Sequence, residues 1–372
     1  MRPRGLLSTI GRVLDLNAAF ARVLAGGRLD ADEAAAVFEA VMRGAFSRER
    51  LAALLGALAA RGETAEELLG AARAMRAHVT PIRPTRRDLL DTCGTGGSGI
   101  RRRNVSTAAA IVVAACGVAV AKHGNRAASS RCGSADVLEA LGVDVEAPPA
   151  TVARCIDTVG IGFLFARALH PAMAHAAPVR RALGVRTIFN LLGPLTNPAF
   201  ATAYAMGVFD PARVADMAQV LGRLGARRAL VFHGFRAGID PGAGAPAGVD
   251  DVSLEGRTLV AEWDGHAVST WVLEPEDLGL SRHRLSDLAG GEPAENARAL
   301  TDVLNGRGTA AYREAVLAAA ALGLLAASDH PRADLPRLVT RAEAAITSGA
   351  AAEVLDRLRA ASRHRDPGRK AP

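Results

Sequence analysis

Two loops of small residues lie where a ligand with two anionic ends would need them. The first, Gly94-Thr-Gly-Gly97, passes through Ser98 and Arg101-Arg-Arg103 to Asn104-Val-Ser-Thr107, where a helix-like run of Ala and Val begins. The second, Gly124-Asn-Arg-Ala-Ala-Ser-Ser130, leads to Gly133-Ser134 and another helix-like run. Glycine lets a backbone approach a ligand closely, and the N–H groups of a helix start attract an anion with the helix dipole behind them. A short apolar strand over 117–121 joins the loops, and Lys122 stands at its end. All but two of the 45 basic residues are arginine, and the other lysine, Lys370, lies in the tail. Lys122 is therefore the one ammonium in the body of the chain, a compact charge suited to phosphate where a planar fork does not fit. Taken singly, each Ser or Gly here also suits a helix-capping turn that binds nothing.

Such loops need strands and helices to hold them. Up to about residue 80 the chain reads as helices only, with apolar residues at helical spacing over 14–24, 31–42, 48–61 and 64–78. Asp30 and Thr64 are the expected N-caps, and Thr64-Ala-Glu-Glu67 has the form of a capping box. The Pro-rich piece 80–85 reads as a linker. Beyond Leu89, short apolar strands alternate with helices. Strands are predicted over 117–121, 205–209, 229–233 and 268–273, the last one antiparallel. Helices are predicted over 134–141, 211–224, 295–304, 312–327 and 341–346. The Gly/Pro/Ala-rich stretch 234–248 is expected to be a mobile loop. Alternation of this kind gives an α/β fold: a small N-terminal helical domain and a larger α/β domain with a mostly parallel sheet.

Composition narrows the class. With 372 residues and 49% hydrophobic content, the chain can build two domains. No run reaches the roughly 18–20 apolar residues of a membrane helix. The nearest, 108–121, is shorter and is interrupted by Gly117. The opening MRPRGLLSTIGRVLDL has no sustained apolar core or cleavage site, so no signal peptide is expected. Cys93, Cys116, Cys132 and Cys155 lack metal-ligand spacing, and a cytoplasmic protein with reduced thiols is expected. The net charge of +7 invites a nucleic-acid reading, but aromatics make up only 4% of the chain, too few for a stacking platform. Much of the excess lies in Arg101–Arg103 and in the tail after Arg363. A basic surface drawing in a polyanionic small molecule fits equally well.

The segment from Asp91 to Gly142 resembles the signature of the anthranilate phosphoribosyltransferases. The matching motifs are Gly94-Thr-Gly-Gly97, Asn104-Val-Ser-Thr107, Lys122-His-Gly-Asn-Arg126, Ser129-Ser130 and Gly133-Ser-Ala-Asp136. A second block matches as well, from His170-Pro-Ala-Met-Ala-His175 through Pro178-Val-Arg-Arg181 to Gly193-Pro-Leu-Thr-Asn-Pro198. The resemblance spans nearly the whole chain and implies the nucleoside phosphorylase/phosphoribosyltransferase-like architecture. Its helical domain would be residues 1–82, rejoined by a segment near 165–190. Residues 83–362 would form the α/β domain, and 363–372 a disordered basic tail.

The resemblance implies transfer of the phosphoribosyl group of 5-phosphoribosyl 1-pyrophosphate to the amino group of anthranilate, in tryptophan synthesis, with Mg2+ and as a homodimer. No membrane partner is implied, and nucleic acid is not the expected partner. The donor would meet Gly94, Gly97, Ser98, Arg102, Asn104, Val105, Ser106, Thr107, Lys122, His123, Gly124, Asn125, Arg126, Ala127, Ala128, Ser129, Ser130 and Ser134. Anthranilate would meet Gly94, Asn125 and Arg180, whose guanidinium fork suits a carboxylate. Arg181 would be solvated. Magnesium would be held by Ser106, Asp250 and Asp251; without the resemblance, adjacent acids would read as a turn or cap. An aniline nitrogen is already neutral at about pH 7 and needs no strong base, so His123 is read as positioning and no catalytic residue is assigned.

The departures are specific. Ser98 replaces the family's aspartate, Arg102 and Arg103 replace Thr-Phe, Cys132 replaces Ser, Asp251 replaces Glu and Ala319 replaces Asn, with an insertion after His233. Losing a loop carboxylate and gaining arginines is expected to make the first loop more cationic, gripping phosphates harder or collapsing on them wrongly. Three other readings stay open. One is a nucleic-acid-binding paralogue with impaired catalysis. The others are a pyrimidine nucleoside phosphorylase of the sister family, and a phosphoribosyltransferase for another aromatic acid.

Overall fold

The computed structural model describes residues 15–97, 101–127, 131–239 and 248–364. In chain order the helices and strands are α1 (Leu16–Leu24), α2 (Ala31–Met42), α3 (Arg48–Arg61), α4 (Ala65–Ala77), β1 (Leu89–Gly94), α5 (Val105–Ala115), β2 (Ala119–Gly124), α6 (Ser134–Ala140), α7 (Pro149–Val159) and β3 (Ile161–Phe165). There follow α8 (Ala166–Leu169), α9 (Met173–Leu183), α10 (Phe189–Leu195), β4 (Ala203–Gly207), α11 (Val214–Arg223), β5 (Arg228–Phe235), β6 (Gly248–Val249), β7 (Thr258–Trp263) and β8 (Val268–Leu273). The chain closes with α12 (Pro293–Leu304), α13 (Ala310–Ala326), α14 (Leu335–Thr347) and α15 (Ala350–Arg363). Two compact units result: Met1–His78 with Ala172–Phe189, and Val79–Pro171 with Asn190–Pro372.

The helical unit is set by its caps. Asp30 and Glu33 close a capping box on α2, and Thr64 and Glu67 close one on α4. Glu67 is fully buried, which a carboxylate tolerates only when its oxygens are used. It accepts from the Thr64 N–H at 2.9 Å and the Leu29 N–H at 3.0 Å, and it pairs with Arg61. A Cβ at Gly70 would strike the backbone of Ala31 and Ala35, so the absence of a side chain lets α4 cross α2 closely. The returning segment contributes α9, which ends at Gly184 in the left-handed conformation.

The second unit is built on one sheet, in the order β3-β2-β1-β4-β5-β7-β8, with β6 paired to β5. The first five strands of that order run parallel, whereas β7 and β8 are antiparallel. Strands buried on both faces read as continuous apolar runs, and β3 and β4 do so, whereas β2 is buried while carrying Lys122 and His123. Helices α5 and α13 are apolar nearly all round and buried along their length, as core helices must be. Ala319 lies on α13 and is buried. Among the described residues no helix is long and apolar enough to cross a membrane.

Several expected boundaries move. The strand expected over 117–121 is Ala119–Gly124, because Gly117 takes φ +90° and ends α5 instead. The strand expected over 205–209 is Ala203–Gly207. The helix expected over 211–224 opens with a tight turn, Pro211–Arg213, before α11. The expected loop 234–248 shrinks at both ends: β5 runs through Phe235, and Gly248 pairs back to it. Residues 240–247 lie outside the described residues. So do the expected basic tail beyond His364 and the donor-loop residues Ser98, Ala128, Ser129 and Ser130. Arg363 is the last residue of α15 rather than part of the tail.

Candidate active site

In an open parallel sheet, ligands bind beyond the carboxyl ends of the strands. Neighbouring strands β1 and β2 end at Gly94 and Gly124, and each opens into one of the small-residue loops. Gly96 and Gly97 adopt φ +67° and +89°, a backbone that only glycine takes at little cost. Gly94, Gly96, Gly97 and Asn125 are exposed. The loop after β1 feeds α5, whose first turn has no side-chain cap and no acidic residue. Ser106 therefore sits among uncapped N–H groups, the arrangement that attracts an anion. Val105 spends its own N–H on the Arg103 carbonyl at 2.9 Å. Thr107 is buried, with no hydrogen-bond partner for its hydroxyl among the described residues.

Lys122 lies inside β2 with its side chain fully buried. Its Nζ donates to the Thr92 carbonyl at 2.5 Å and reaches the Ser106 hydroxyl at 3.5 Å. Burial pulls its pKa below the ordinary lysine value, opposed by Asp91 and Asp251. Asp91, also buried, accepts from Asn197 Nδ2 at 2.8 Å and from the His123 N–H at 3.0 Å. Burial pushes its carboxyl up to about 6. Asn197 donates a second bond, to the Ala121 carbonyl at 2.8 Å. This buried network locks β2 in place below the two small-residue loops. Sequence reading gave Asp91 and Asn197 no role. Their signal was an acid inside an apolar strand and an Asn within the Gly-Pro-Leu-Thr-Asn-Pro block.

The second loop is closed by Asp136, which accepts from the N–H groups of Ala127 and Gly133, both at 2.8 Å. Arg126 pairs with Asp136 and Glu139 on its outer side. Ser134 donates to the Asn125 carbonyl at 3.3 Å. A Cβ at Gly124 would collide with the Ser134 hydroxyl and the Phe163 ring. Asn104 faces inward: its amide donates to the Cys132 carbonyl at 3.3 Å and accepts from Asn296 at 2.9 Å. Asn104 thus ties the two loops to α12, and Cys132 sits buried beside it, its Sγ 3.5 Å from the Asn104 oxygen.

The acid pair arrives at the same edge. Asp250 accepts from the Gly96 N–H at 2.8 Å through one oxygen, and through the other from Arg102 Nη2 at 2.8 Å. Arg102 Nη1 reaches Asp251 at 3.3 Å. The remaining Asp251 oxygen takes the Val252 N–H at 3.0 Å. Burial pushes the Asp251 carboxyl up to about 6, against the pull of Arg102. The expected cationic loop is therefore corrected, because the Arg102 charge is spent on the two carboxylates. Arg103 donates to the Thr309 hydroxyl at 3.0 Å and lies over the Tyr312 ring, leaving Arg101 as the exposed member of the run. A free arginine patch for nucleic acid is not what this loop presents. Among the described residues no group of three or more His, Cys, Asp or Glu gathers as a metal site.

His123 and His170 face each other, Nε2 to Nε2 at 3.1 Å, both buried. One must be neutral to accept from the other. Burial lowers the pKa of His170 to about 4, and that of His123 well below its usual value. A histidine whose folded pKa is depressed contributes stability above its unfolded pKa, about 6.5, and loses it as the pH falls towards 4. Asp91 works the other way in the same window, so the comparison must be with a variant. Between pH 7 and pH 5 the native chain is expected to lose on the order of 2 kcal/mol more than His170→Gln. Urea unfolding of both proteins at the two pH values checks this. Equal losses would mean the imidazole is not held neutral.

Arg180 belongs to the helical unit. It lies on α9, half-buried, with its guanidinium 5.5 Å from the centroid of the Phe189 ring, which packs edge-on against Phe38. Burial lowers its pKa from the ordinary arginine value. Arg181, next along, is exposed as expected.

Known proteins resemble this chain over most of its length. Residues 86–352 match the α/β domain model of a glycosyl transferase family, and residues 17–79 match the helical bundle domain of the same family. Anthranilate phosphoribosyltransferase from Moorella thermoacetica is 48% identical over 91% of this chain and 96% of its own length. The chain belongs to the anthranilate phosphoribosyltransferase family. The crystal structure of the family's enzyme from Thermus thermophilus superposes with a TM-score of 0.85 at 49% identity, covering 93% of this chain and 99% of that one. The Saccharomyces cerevisiae enzyme in complex with PRPP and Mg superposes with a TM-score of 0.78 at 26% identity, covering 93% and 97%.

Proposed function

We propose that this chain transfers the phosphoribosyl group of 5-phosphoribosyl 1-pyrophosphate to the amino group of anthranilate, releasing pyrophosphate, in tryptophan biosynthesis. The single observation that carries the reading is the convergence of both glycine loops, Lys122, Ser106 and the acid pair on one sheet edge, in a chain 48% identical to an enzyme of that name. The exposed glycines at 94, 96 and 97 admit the donor, and the α5 first turn and Lys122 hold its phosphate charge. Asn125, Arg126, Ala127 and Ser134 of the second loop are read as further contacts to the donor.

Asp250, Asp251 and Ser106 suit magnesium in kind, since it prefers carboxylates and other hard oxygens. Bound there, magnesium would offset the charge of the departing pyrophosphate. The acceptor's amine needs no base. The chain's own task is to hold amine and ribose carbon in line and to keep Lys122 and the N–H groups facing the charge that develops. His123 positions the end of β2 through its bond to His170. We read the enzyme as a cytoplasmic homodimer, consistent with four free cysteines.

Arg180 is read as the partner of the anthranilate carboxylate. A fork held against a ring in a half-buried setting gives a strong bidentate bond, so Arg180→Ala should raise the anthranilate KM by roughly 10- to 100-fold. The donor's binding constant should stay unchanged. Loss of anthranilate fluorescence with donor and magnesium present reads the rate, and calorimetry reads donor binding. No anthranilate consumption by the native protein would sink the whole assignment. An unchanged acceptor KM in the variant would remove Arg180 from it.

A further inference from the structure

The Arg102 side chain is the feature that the family reading leaves unexplained. Its guanidinium spans Asp250 and Asp251, with Nη2 2.8 Å from the first and Nη1 3.3 Å from the second. All three side chains are only 11% exposed. The loop that carries it is fixed from several directions. Arg102 forms an antiparallel bridge with Ala289, the Arg103 N–H donates to the Leu288 carbonyl at 2.9 Å, and the Gly290 N–H donates to the Arg101 carbonyl at 3.3 Å. A Cβ at Gly290 would run into the Arg102 carbonyl, so this seating depends on a glycine. Arg102 is thus delivered to the acids by its backbone.

We propose that the Arg102 guanidinium serves as a built-in cation at the acid pair, taking the charge-balancing place of one divalent ion, so that the donor is held with fewer metal ions than two acids would otherwise recruit. The inference rests on the donor reading above. A guanidinium keeps its charge at every accessible pH and matches carboxylate oxygens with paired N–H groups. Each carboxylate oxygen of the pair accepts a protein hydrogen bond, two of them from Arg102. A divalent ion approaching those oxygens must either displace the guanidinium or sit beside a positive charge. Without Arg102, two neighbouring carboxylates with little solvent would be open to metal. With it, the same pair presents roughly one negative charge, and the guanidinium is placed to meet the donor's diphosphate.

The test is manganese titration of the full chain followed by electron paramagnetic resonance, which reads free Mn2+ without any turnover. Without donor, Arg102→Gln is expected to bind Mn2+ at least tenfold more tightly than the native protein. With phosphoribosyl pyrophosphate bound, the native chain should hold one Mn2+ and the variant two. Calorimetry of donor binding in EDTA should show the native protein binding at least tenfold more tightly than Arg102→Gln. Mn2+ affinities within twofold of each other would overturn the proposal. So would two Mn2+ per native chain with donor bound, a measurement that needs no variant to fold. Failure of both proteins to bind the donor at saturating Mn2+ would sink the donor reading and this inference with it, whereas the donor-free titration tests the acid pair alone.

Discussion

Lys122→Met is expected to cost the protein its donor and little of its stability. The ammonium is fully buried, donates to the Thr92 carbonyl and touches the Ser106 hydroxyl, and burial disfavours its charged form. Replacing the ammonium with an apolar chain of similar volume removes its desolvation penalty, the largest influence on its charge, and this offsets the lost attraction to Asp91 and Asp251, whose carboxyls can take up a proton instead. Asp91 keeps its bonds from Asn197 and His123. The thermal midpoint should therefore move by no more than a few degrees, while kcat/KM for the donor falls by roughly 100- to 1000-fold, a loss of about 3–4 kcal/mol of transition-state binding. Lys122→Arg should fail too: a planar group with five donors has no room or partners in the slot. Calorimetric donor titration and thermal unfolding separate the two effects. A midpoint that collapses in step with activity would make Lys122 a fold residue rather than a ligand residue.

Gly207→Ala is expected to damage both stability and the acid pair. A Cβ there would overlap the Asp250 carbonyl, closer than any real contact, and neither backbone has slack to yield. Gly207 is paired in register with Gly94, whose own Cβ would meet an Asp250 carboxylate oxygen at 2.8 Å. Gly234 likewise faces the Asp251 carbonyl, so three strand ends are left bare where the acid segment crosses them. Overpacking a rigid site of this kind costs roughly 2–4 kcal/mol. The displaced acids should lower metal-dependent turnover by about 100-fold, a loss of roughly 3 kcal/mol. The contrast is Gly56, inside α3 with open space around its Cα, where alanine should instead stabilise by roughly 0.5–1 kcal/mol. Urea unfolding of the two variants checks the opposite signs. A neutral Gly207→Ala would mean the acid segment is not seated on that glycine.

Much of this was legible in the chain alone, and the reasons are local. Helices α2 and α3 begin and end where the sequence places them, because Asp30 and Ser47 cap their starts and Gly62 ends α3. The two loops announce themselves through glycines that the backbone needs. What stayed hidden depends on long-range pairing. Strand β3 is five residues buried on every side, and such a run cannot be told from the end of the preceding helix by periodicity. Strand β7 is recognised only by its antiparallel partners. Arg102 reads as one more phosphate-seeking cation until the fold brings up Asp250 and Asp251, 148 and 149 residues away in sequence. The bond between Asp91 and Asn197 is hidden for the same reason.

The bare strand ends carry one more consequence. Because Asp250 and Asp251 are aimed by main chain lying in a groove of glycines, their placement owes little to the connection that precedes them. That connection can change in length and composition without re-aiming the carboxylates, since extra loop residues add only slowly to the entropy of closure. An insertion after His233 is thus tolerated at little cost, and the same stretch is a natural place to graft a foreign peptide onto a working enzyme.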